Sequence, residues 1–368
     1  MTAPESRLRA ASLGAAAAVA LAAAALAFLE PITSLDRRVL DAQFAAARAP
    51  EPATLAAPVD VAIVGIDART VRGIEEPMTL WHAHLGRFLE GMRAAKPAVV
   101  AIDLVLPERS FEGVIPGLDS ALARALVTSR RDFPTVLAQT VDEGGAHRTI
   151  FPAFVAAAGV EPGYVLWHVD PDGVVRRFDE RLGANGEAVP TLAGQVARAL
   201  GREPRAGYID YSRGAAMAYT PFHDVLEAIG RGDDAWLRDR FAGKAVFLGS
   251  VMPLVDTVRL PVALAAWGPG ADATPGVLLQ AHATRALLAD RVLAPLPPAV
   301  VAFLAALAAL QGDDAGSAQG ALGPLAQAQH LLQDYEHVDA SFRAMNEVLT
   351  SCIAQAGDVA HSLQGYLR

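Results

Sequence analysis

Two short segments decide the fold: VDVAIVGI at Val59–Ile66 and AVVAIDLV at Ala98–Val105. Both are apolar at nearly every position and rich in β-branched residues, a pattern typical of strands buried on both faces of a sheet. Between them, Trp81–Ala95 carries its large apolar residues along one stripe, which predicts an amphipathic helix. A strand, a helix and a strand in this order predict a β-α-β unit with two parallel strands.

The same patterns continue outward along the chain. The turn residues DPDG at 170–173, flanked by strand-forming residues, predict a hairpin over Tyr164–Phe178. Together these elements predict an α/β fold with a mixed, largely parallel sheet flanked by helices. Further strands are expected at Thr135–Ala138, Tyr208–Tyr211 and Lys244–Gly249, and further helices at Asp119–Thr128, Thr191–Leu200, Phe222–Ile229 and Gly276–Ala289.

Composition excludes several classes of protein. The net charge is −9 and the basic residues are scattered, whereas phosphate binding needs a concentrated basic face, so nucleic acid is not an expected partner. The chain has one cysteine, Cys352, which excludes a disulfide within the chain and a zinc site built mainly from cysteines.

An uncharged segment at Ala11–Leu29 predicts a transmembrane helix, because its length of roughly 28 Å matches the hydrocarbon core. Arg7 and Arg9 precede it, so residues 1–10 are expected in the cytoplasm and the following chain outside. A cleaved signal peptide is the competing interpretation, since small residues fill this stretch.

The end of the chain predicts a second membrane helix and a long helical tail. Residues 297–310 are apolar and are expected to cross the membrane, with a buried or interfacial helix as the alternative. Residues 311–323 are expected to form a linker. Residues 324–368 follow a heptad pattern, which predicts a long helix in a homodimer, acting either as an output or spacer helix or as a borrowed segment with its own role.

The following segments occur in this order along the chain: VAIVGID (61–67), AKPAVVAIDLVLPE (95–108), LDSALARAL (118–126), VDPDGVVRRF (169–178), FAGKAVFLGS (241–250), VDTVRLP (255–261) and TPGVLLQAHATRALL (274–288). As an ordered set they resemble the CHASE2 family of bacterial extracytoplasmic sensor domains, over about residues 35–310. The resemblance implies a ligand-sensing α/β domain, here residues 35–296, on the periplasmic side of the inner membrane. Such domains usually precede several membrane helices and a cyclase or kinase, but residues 311–368 are too few for such a module.

Three aspartates near strand ends form the candidate site. Asp67 follows the first strand, Asp103 lies near the end of the second, and Asp256 follows the strand Lys244–Gly249. Since ligands of open α/β sheets bind at the carboxyl ends of strands, these carboxylates are candidates to hold a cation or the amines of a ligand. His82 or His84 could join them. The alternative is that each aspartate caps the next helix or turn.

Other candidate ligand contacts have structural alternatives. Arg176 and Arg177 could face an anion, or they could form a solvated hairpin edge. Trp81 could stack on a ligand, or it could pack in the core.

These observations lead to three hypotheses. The first is a membrane-anchored sensor of a small solute or ion, without enzymatic activity of its own, that passes its signal through membrane helices to a truncated or replaced output region. The second is a membrane-anchored hydrolase that uses Asp67, Asp103 and Asp256 to hold a metal. The third is a scaffold whose helical tail recruits a partner.

Overall fold

The two segments that predict the β-α-β unit form parallel strands of one seven-stranded sheet, in a computed structural model of the chain. A third strand, β9 (Ala245–Ser250), lies between β1 (Val61–Ile66) and β2 (Val99–Val105) and is parallel to both. The predicted mixed, largely parallel sheet is therefore confirmed. The other four strands of the sheet are β3 (Thr135–Val141), β4 (His147–Arg148), β5 (Gly163–Tyr164) and β8 (Tyr219–Pro221). The order β4-β3-β2-β9-β1-β8 is parallel throughout except at β4, and β5 also pairs with β3 in parallel.

The structure describes residues 18, 21–22, 24–25, 27–48, 53–268, 270–302 and 304–305. One compact unit comprises Phe44–Pro295 and contains the sheet. The remaining strands are β6 (Arg177–Phe178), β7 (Gly207–Ile209), β10 (Thr257–Val258), β11 (Thr274–Pro275) and β12 (Val292–Leu293). The helices are α1 (Glu30–Arg48), α2 (Ala68–Gly73), α3 (His82–Ala95), α4 (Leu118–Ser129), α5 (Pro152–Ala158), α6 (Leu192–Ala199), α7 (Phe222–Arg231), α8 (Asp234–Phe241) and α9 (Gly276–Leu288).

Helices cover both faces of the sheet, which explains why its central strands are apolar at nearly every position. On one face, Val64, Ile102 and Leu248 join a core cluster with side chains of α3, α4, α5, α7 and α8. Their neighbours Ile63 and Phe247 are also buried but lie outside that cluster, because side chains alternate along a strand. The second face is packed by α6 and α9.

Two short antiparallel sheets complete the compact unit. One consists of β10 and β11, and the other of β12, β7 and β6. The predicted DPDG turn is present, since the Gly173 amide donates to the Asp170 carbonyl at 2.8 Å. His168 and Arg177 bridge the two arms of the predicted hairpin, and Arg177 continues into β6.

Most of the predicted membrane and tail segments lie outside the described residues. The predicted membrane helix at 11–29 is described only at residue 18, residues 21–22 and 24–25, and residues 27–29. The second predicted crossing, 297–310, is helical from 298 through 302 and at 304–305, and the rest of it is not described. Within the described ranges, no helix combines the length and the apolar character needed to span a bilayer. The linker 311–323 and the heptad tail 324–368 lie outside the described residues.

Two glycines allow close packing at the carboxyl end of the sheet. Gly65, Gly249 and Asp103 form one row across β1, β9 and β2. A Cβ added at Gly249 would lie 2.8 Å from Val277 Cγ2 of α9, and one added at Gly65 would collide with the Tyr219 ring. Glycine at these two positions therefore lets α9 and Tyr219 approach the sheet backbone directly.

We expect Gly249→Ala to destabilise the protein by about 1–3 kcal/mol, because the added methyl group overpacks the contact with Val277. Gly73→Ala is the matched control, since no atom lies within 4 Å of a Cβ added there. Urea denaturation measures both changes. Equal stability of the two variants would contradict the proposed close approach of α9.

Candidate functional site

Asp103 and Asp256 form an acid pair where β2, β9 and α9 meet. Asp103 is the fifth residue of β2, at its carboxyl end. Asp256 lies in the loop after β9 with a left-handed φ of 48°, and its carbonyl accepts a hydrogen bond from the Gly276 amide at 2.8 Å. A Cβ added at Gly276 would lie 2.5 Å from Asp256 Oδ2, so this carboxylate sits against the first residue of α9. The positive end of the helix dipole there stabilises a negative charge.

The environment of the pair disfavours two negative charges. Asp103 keeps some contact with solvent, but the dense packing around its carboxyl raises its pKa to about 8, and the nearby Asp256 charge acts in the same direction. Partial burial also raises the pKa of Asp256, although that side chain is exposed on its other side. At neutral pH the pair therefore holds a proton on Asp103 and can both donate and accept hydrogen bonds.

Asp67, which directly follows β1, differs from Asp103 in its protonation state. It is the N-cap of α2 and accepts hydrogen bonds from the Thr70 amide at 2.7 Å and the Thr70 hydroxyl at 2.8 Å. Burial acts to raise the pKa of Asp67, but the hydrogen bonds from Thr70, together with the nearby His223 and Tyr219, outweigh it and lower the pKa. Asp67 is therefore ionised and acts as a helix cap.

Further polar and aromatic side chains at this edge were missed from the sequence. His223 Nδ1 lies 3.2 Å from the Thr70 hydroxyl, and its Nε2 lies 2.8 Å from Asp224 Oδ1. The Tyr219 hydroxyl donates to Asp67 Oδ2 at 3.4 Å, and its ring packs edge-on against Trp267. Both Tyr219 and His223 lie at or just after β8, which has only three residues, too few for a visible strand pattern in the sequence.

Comparison with known proteins identifies the family. A family model described as the CHASE2 domain matches residues 17–311 of the 368. The chain belongs to the CHASE2 family. CHASE2 domains are extracytoplasmic sensor domains, which supports a sensor role for this chain. No curated protein and no solved structure matches it.

The CHASE2 domain places three of the predicted site residues in other contacts. His82 is buried at the start of α3, with Nδ1 2.9 Å from Asp119 Oδ1. His84 Nε2 lies 3.3 Å from Glu76. Trp81 is buried and stacks on Phe222, and its indole nitrogen donates to the Glu76 carbonyl at 2.7 Å. The histidines thus contact acids other than the three predicted ones, and Trp81 is part of the core.

The two arginines of the hairpin are paired with its turn aspartates. Arg176 is 1% exposed and donates to Asp170 at 2.8 Å and to Asp172 at 2.7 Å. Arg177 donates to the other oxygen of Asp170 at 2.7 Å and lies over the Tyr208 ring. The two arginines that were candidates to bind an anion are therefore paired with aspartates of the same hairpin. These charged hydrogen bonds stabilise the hairpin of the CHASE2 domain.

A metal centre built from Asp67, Asp103 and Asp256 finds no support in the geometry. Among the described residues of the CHASE2 chain, no group of three or more His, Cys, Asp or Glu side chains is arranged to hold a metal ion. Asp103 is influenced by Asp256, whereas the oxygens of Asp67 contact Thr70 and Tyr219. The structure therefore brings together two of the three predicted acids.

We expect Asp103→Asn to gain stability relative to the native protein as the pH rises. Asp103 keeps its proton in the folded state up to about pH 8 but loses it near pH 3.8 when unfolded, so native stability falls between these values. Asparagine cannot ionise, so the variant does not lose stability in this pH range for that reason. From pH 5 to pH 8 the difference in free energy of unfolding should grow by on the order of 2–3 kcal/mol, allowing for partial solvent contact.

Urea denaturation at several pH values measures this difference. Asp67→Asn is the control, because the pKa of Asp67 is lowered and its stabilising charge is lost only as the pH falls through acidic values. That variant should therefore be less stable by a constant amount from pH 5 to pH 8. A constant difference for Asp103→Asn as well would exclude a raised pKa at Asp103.

Proposed function

We propose that this CHASE2 domain senses a small cation, either an amine or a metal ion, at the acid pair of Asp103 and Asp256. The observation that supports the proposal is the placement of two carboxyl groups together at the carboxyl edge of a parallel sheet. Ligands of open α/β sheets bind in the crevice outside this edge.

The electrostatics of the pair explain how a cation would be recognised. The N-terminal end of α9 stabilises the Asp256 carboxylate, which leaves Asp103 as the acid whose negative charge needs a partner. A positive ligand favours the ionised form of Asp103, so binding displaces its proton. Binding of this kind becomes tighter as the pH rises toward the pKa of Asp103.

Signal transfer is proposed to run through the apolar segments at 11–29 and 297–310, which would hold the domain outside the bacterial inner membrane. The heptad tail at 324–368 would continue the signal in a homodimer. A ligand shifts such a protein between two states only if it binds one of them more tightly. The loop that carries Asp256 is a suitable moving part, because it joins β9 to the two-stranded sheet before α9.

The ligand proposal predicts pH-linked binding. Calorimetric titration of the full-length protein with 1,4-diaminobutane, Mg²⁺ and Ca²⁺ should give at least one probe that binds at least tenfold more tightly at pH 8 than at pH 6, since Asp103 must lose its proton. Asp103→Asn should abolish this binding. Asp224→Asn, at the same edge but outside the pair, should retain it. Failure of all three probes, or full binding by Asp103→Asn, would refute the proposal.

The topology proposal predicts opposite locations for the domain and the tail. Reporter fusions after Gln311 and after Arg368 should both report the cytoplasm, and a reporter inserted at the exposed turn Asp142–Gly145 should report the periplasm. If Arg368 reports the periplasm, a signal across the membrane through the tail is ruled out.

A further inference from the structure

A cavity lies at the amino-terminal edge of the sheet, opposite the acid pair. It has a volume of about 530 Å³, within the usual range for sites that bind small molecules, and is partly open to solvent. Its lining includes Asp60, which precedes β1, residues 54–57, residues 214–218 and Arg285 in the last turn of α9. No residue of the acid pair lines it.

Arg285 and Asp60 are the charged residues that line this cavity, and Arg285 is the more buried of the two. The Arg285 side chain is 11% exposed, and its Nε makes no hydrogen bond within the described part of the chain. The Asp60 carboxylate lies 3.6 Å from this Nε but is itself 64% exposed, so water weakens the pair. Burial lowers the pKa of Arg285, with Asp60 opposing the change. A buried guanidinium with so little compensation is unfavourable unless an anion completes its hydrogen bonds.

Apart from the largely exposed Asp60, the charged neighbour nearest in effect on Arg285 is another arginine, Arg48. Arg48 donates to the carbonyls of Tyr211 and Arg213, both at 3.0 Å. The Asp210 carboxylate accepts a hydrogen bond from Arg291 Nε at 3.0 Å and lies 2.9 Å from a terminal nitrogen of the same guanidinium, so its charge is already balanced. The surroundings of Arg285 therefore favour an incoming negative group.

The positive field also acts on a neighbouring histidine. Burial, together with the charges of Arg285 and Arg48, lowers the pKa of His282 to about 4. His282 is therefore neutral at physiological pH and contributes neither a charge nor a pH response to the cavity.

The rest of the wall is part polar and part apolar. Thr54 and Asp60 are its polar side chains, whereas alanines occupy positions 56, 57, 215, 216 and 218, beside the buried Leu55 and Met217. The alanine part of the wall can cover a short hydrocarbon chain, a contact that an inorganic ion cannot use.

We propose that the Arg285 cavity binds a small organic carboxylate, with the carboxylate on the guanidinium and the carbon chain against the alanine wall. The planar guanidinium matches a carboxylate through two parallel hydrogen bonds. The ligand would lie against residues 54–57, which follow α1 in the chain, and the Gly214 amide on the other wall already donates to the Ala53 carbonyl at 2.9 Å. Occupation of the cavity would thus join these two segments more firmly.

Thermal shift measurements on the full-length protein test the ligand class. The added ligands differ in the length of their carbon chain and in their charge. Acetate, propionate and butyrate should stabilise it with increasing strength, by about fourfold in affinity for each added methylene group. Butyramide, which has the same shape without the charge, should have no effect. If inorganic phosphate stabilised the protein as much as butyrate does, the site would bind simple oxyanions, and the proposal of an organic acid would be wrong. If butyramide stabilised it as much as butyrate does, the proposed role of Arg285 would be wrong.

Two variants test the site itself. Arg285→Met should raise the melting temperature without ligand, because it removes a poorly compensated buried charge, and should abolish the response to butyrate. Ala216→Leu keeps the arginine but fills the cavity from an exposed position, and should also abolish the response. An undiminished butyrate response in either variant would overturn the proposal. Neither change touches Asp103 or Asp256, so the cation test remains independent.

Discussion

The close approach of α9 and Tyr219 to the sheet backbone over Gly65 and Gly249 determines what the carboxyl edge can do. Because no side chain separates these elements, protein atoms fill most of the space around Asp103, which keeps only partial contact with solvent. The same packing places the first turn of α9 beside Asp256. The packing of α9 on the sheet thus also determines the protonation state of Asp103.

Two acids at one edge differ because their neighbours differ. Asp67 accepts hydrogen bonds from the backbone and hydroxyl of Thr70, which stabilise its charged form. No hydrogen bond of that kind reaches the carboxyl of Asp103 from the described residues, and dense packing favours its neutral form. A ligand that supplies a positive charge would therefore change Asp103 far more than Asp67. This difference is the reason that we propose Asp103 as the responsive group of the sensor.

The sequence predicts the strands well because burial on both faces leaves a local pattern in β1, β2 and β9. It does not predict that β9 inserts between β1 and β2, since strand order depends on contacts between residues far apart in the chain. The positions of Asp67 and Asp103 follow from the strand ends, but the pairing of His82 with Asp119 does not. His82 lies on the buried side of α3, and a single position near a helix start does not reveal which way it faces. Tyr219 and His223 escape notice because β8 is so short.

Two of the outer strands of the large sheet, β4 and β8, are poor templates for another chain. At one end, β4 consists of the exposed and polar residues His147 and Arg148, and at the other, β8 ends in Pro221, which has no amide hydrogen to offer. Short, charged or proline-containing borders discourage edge-to-edge joining of sheets. Joining of two copies through β4 or β8 is therefore disfavoured, which protects the strand register of the large sheet, and with it the spacing of the acids, at these two borders.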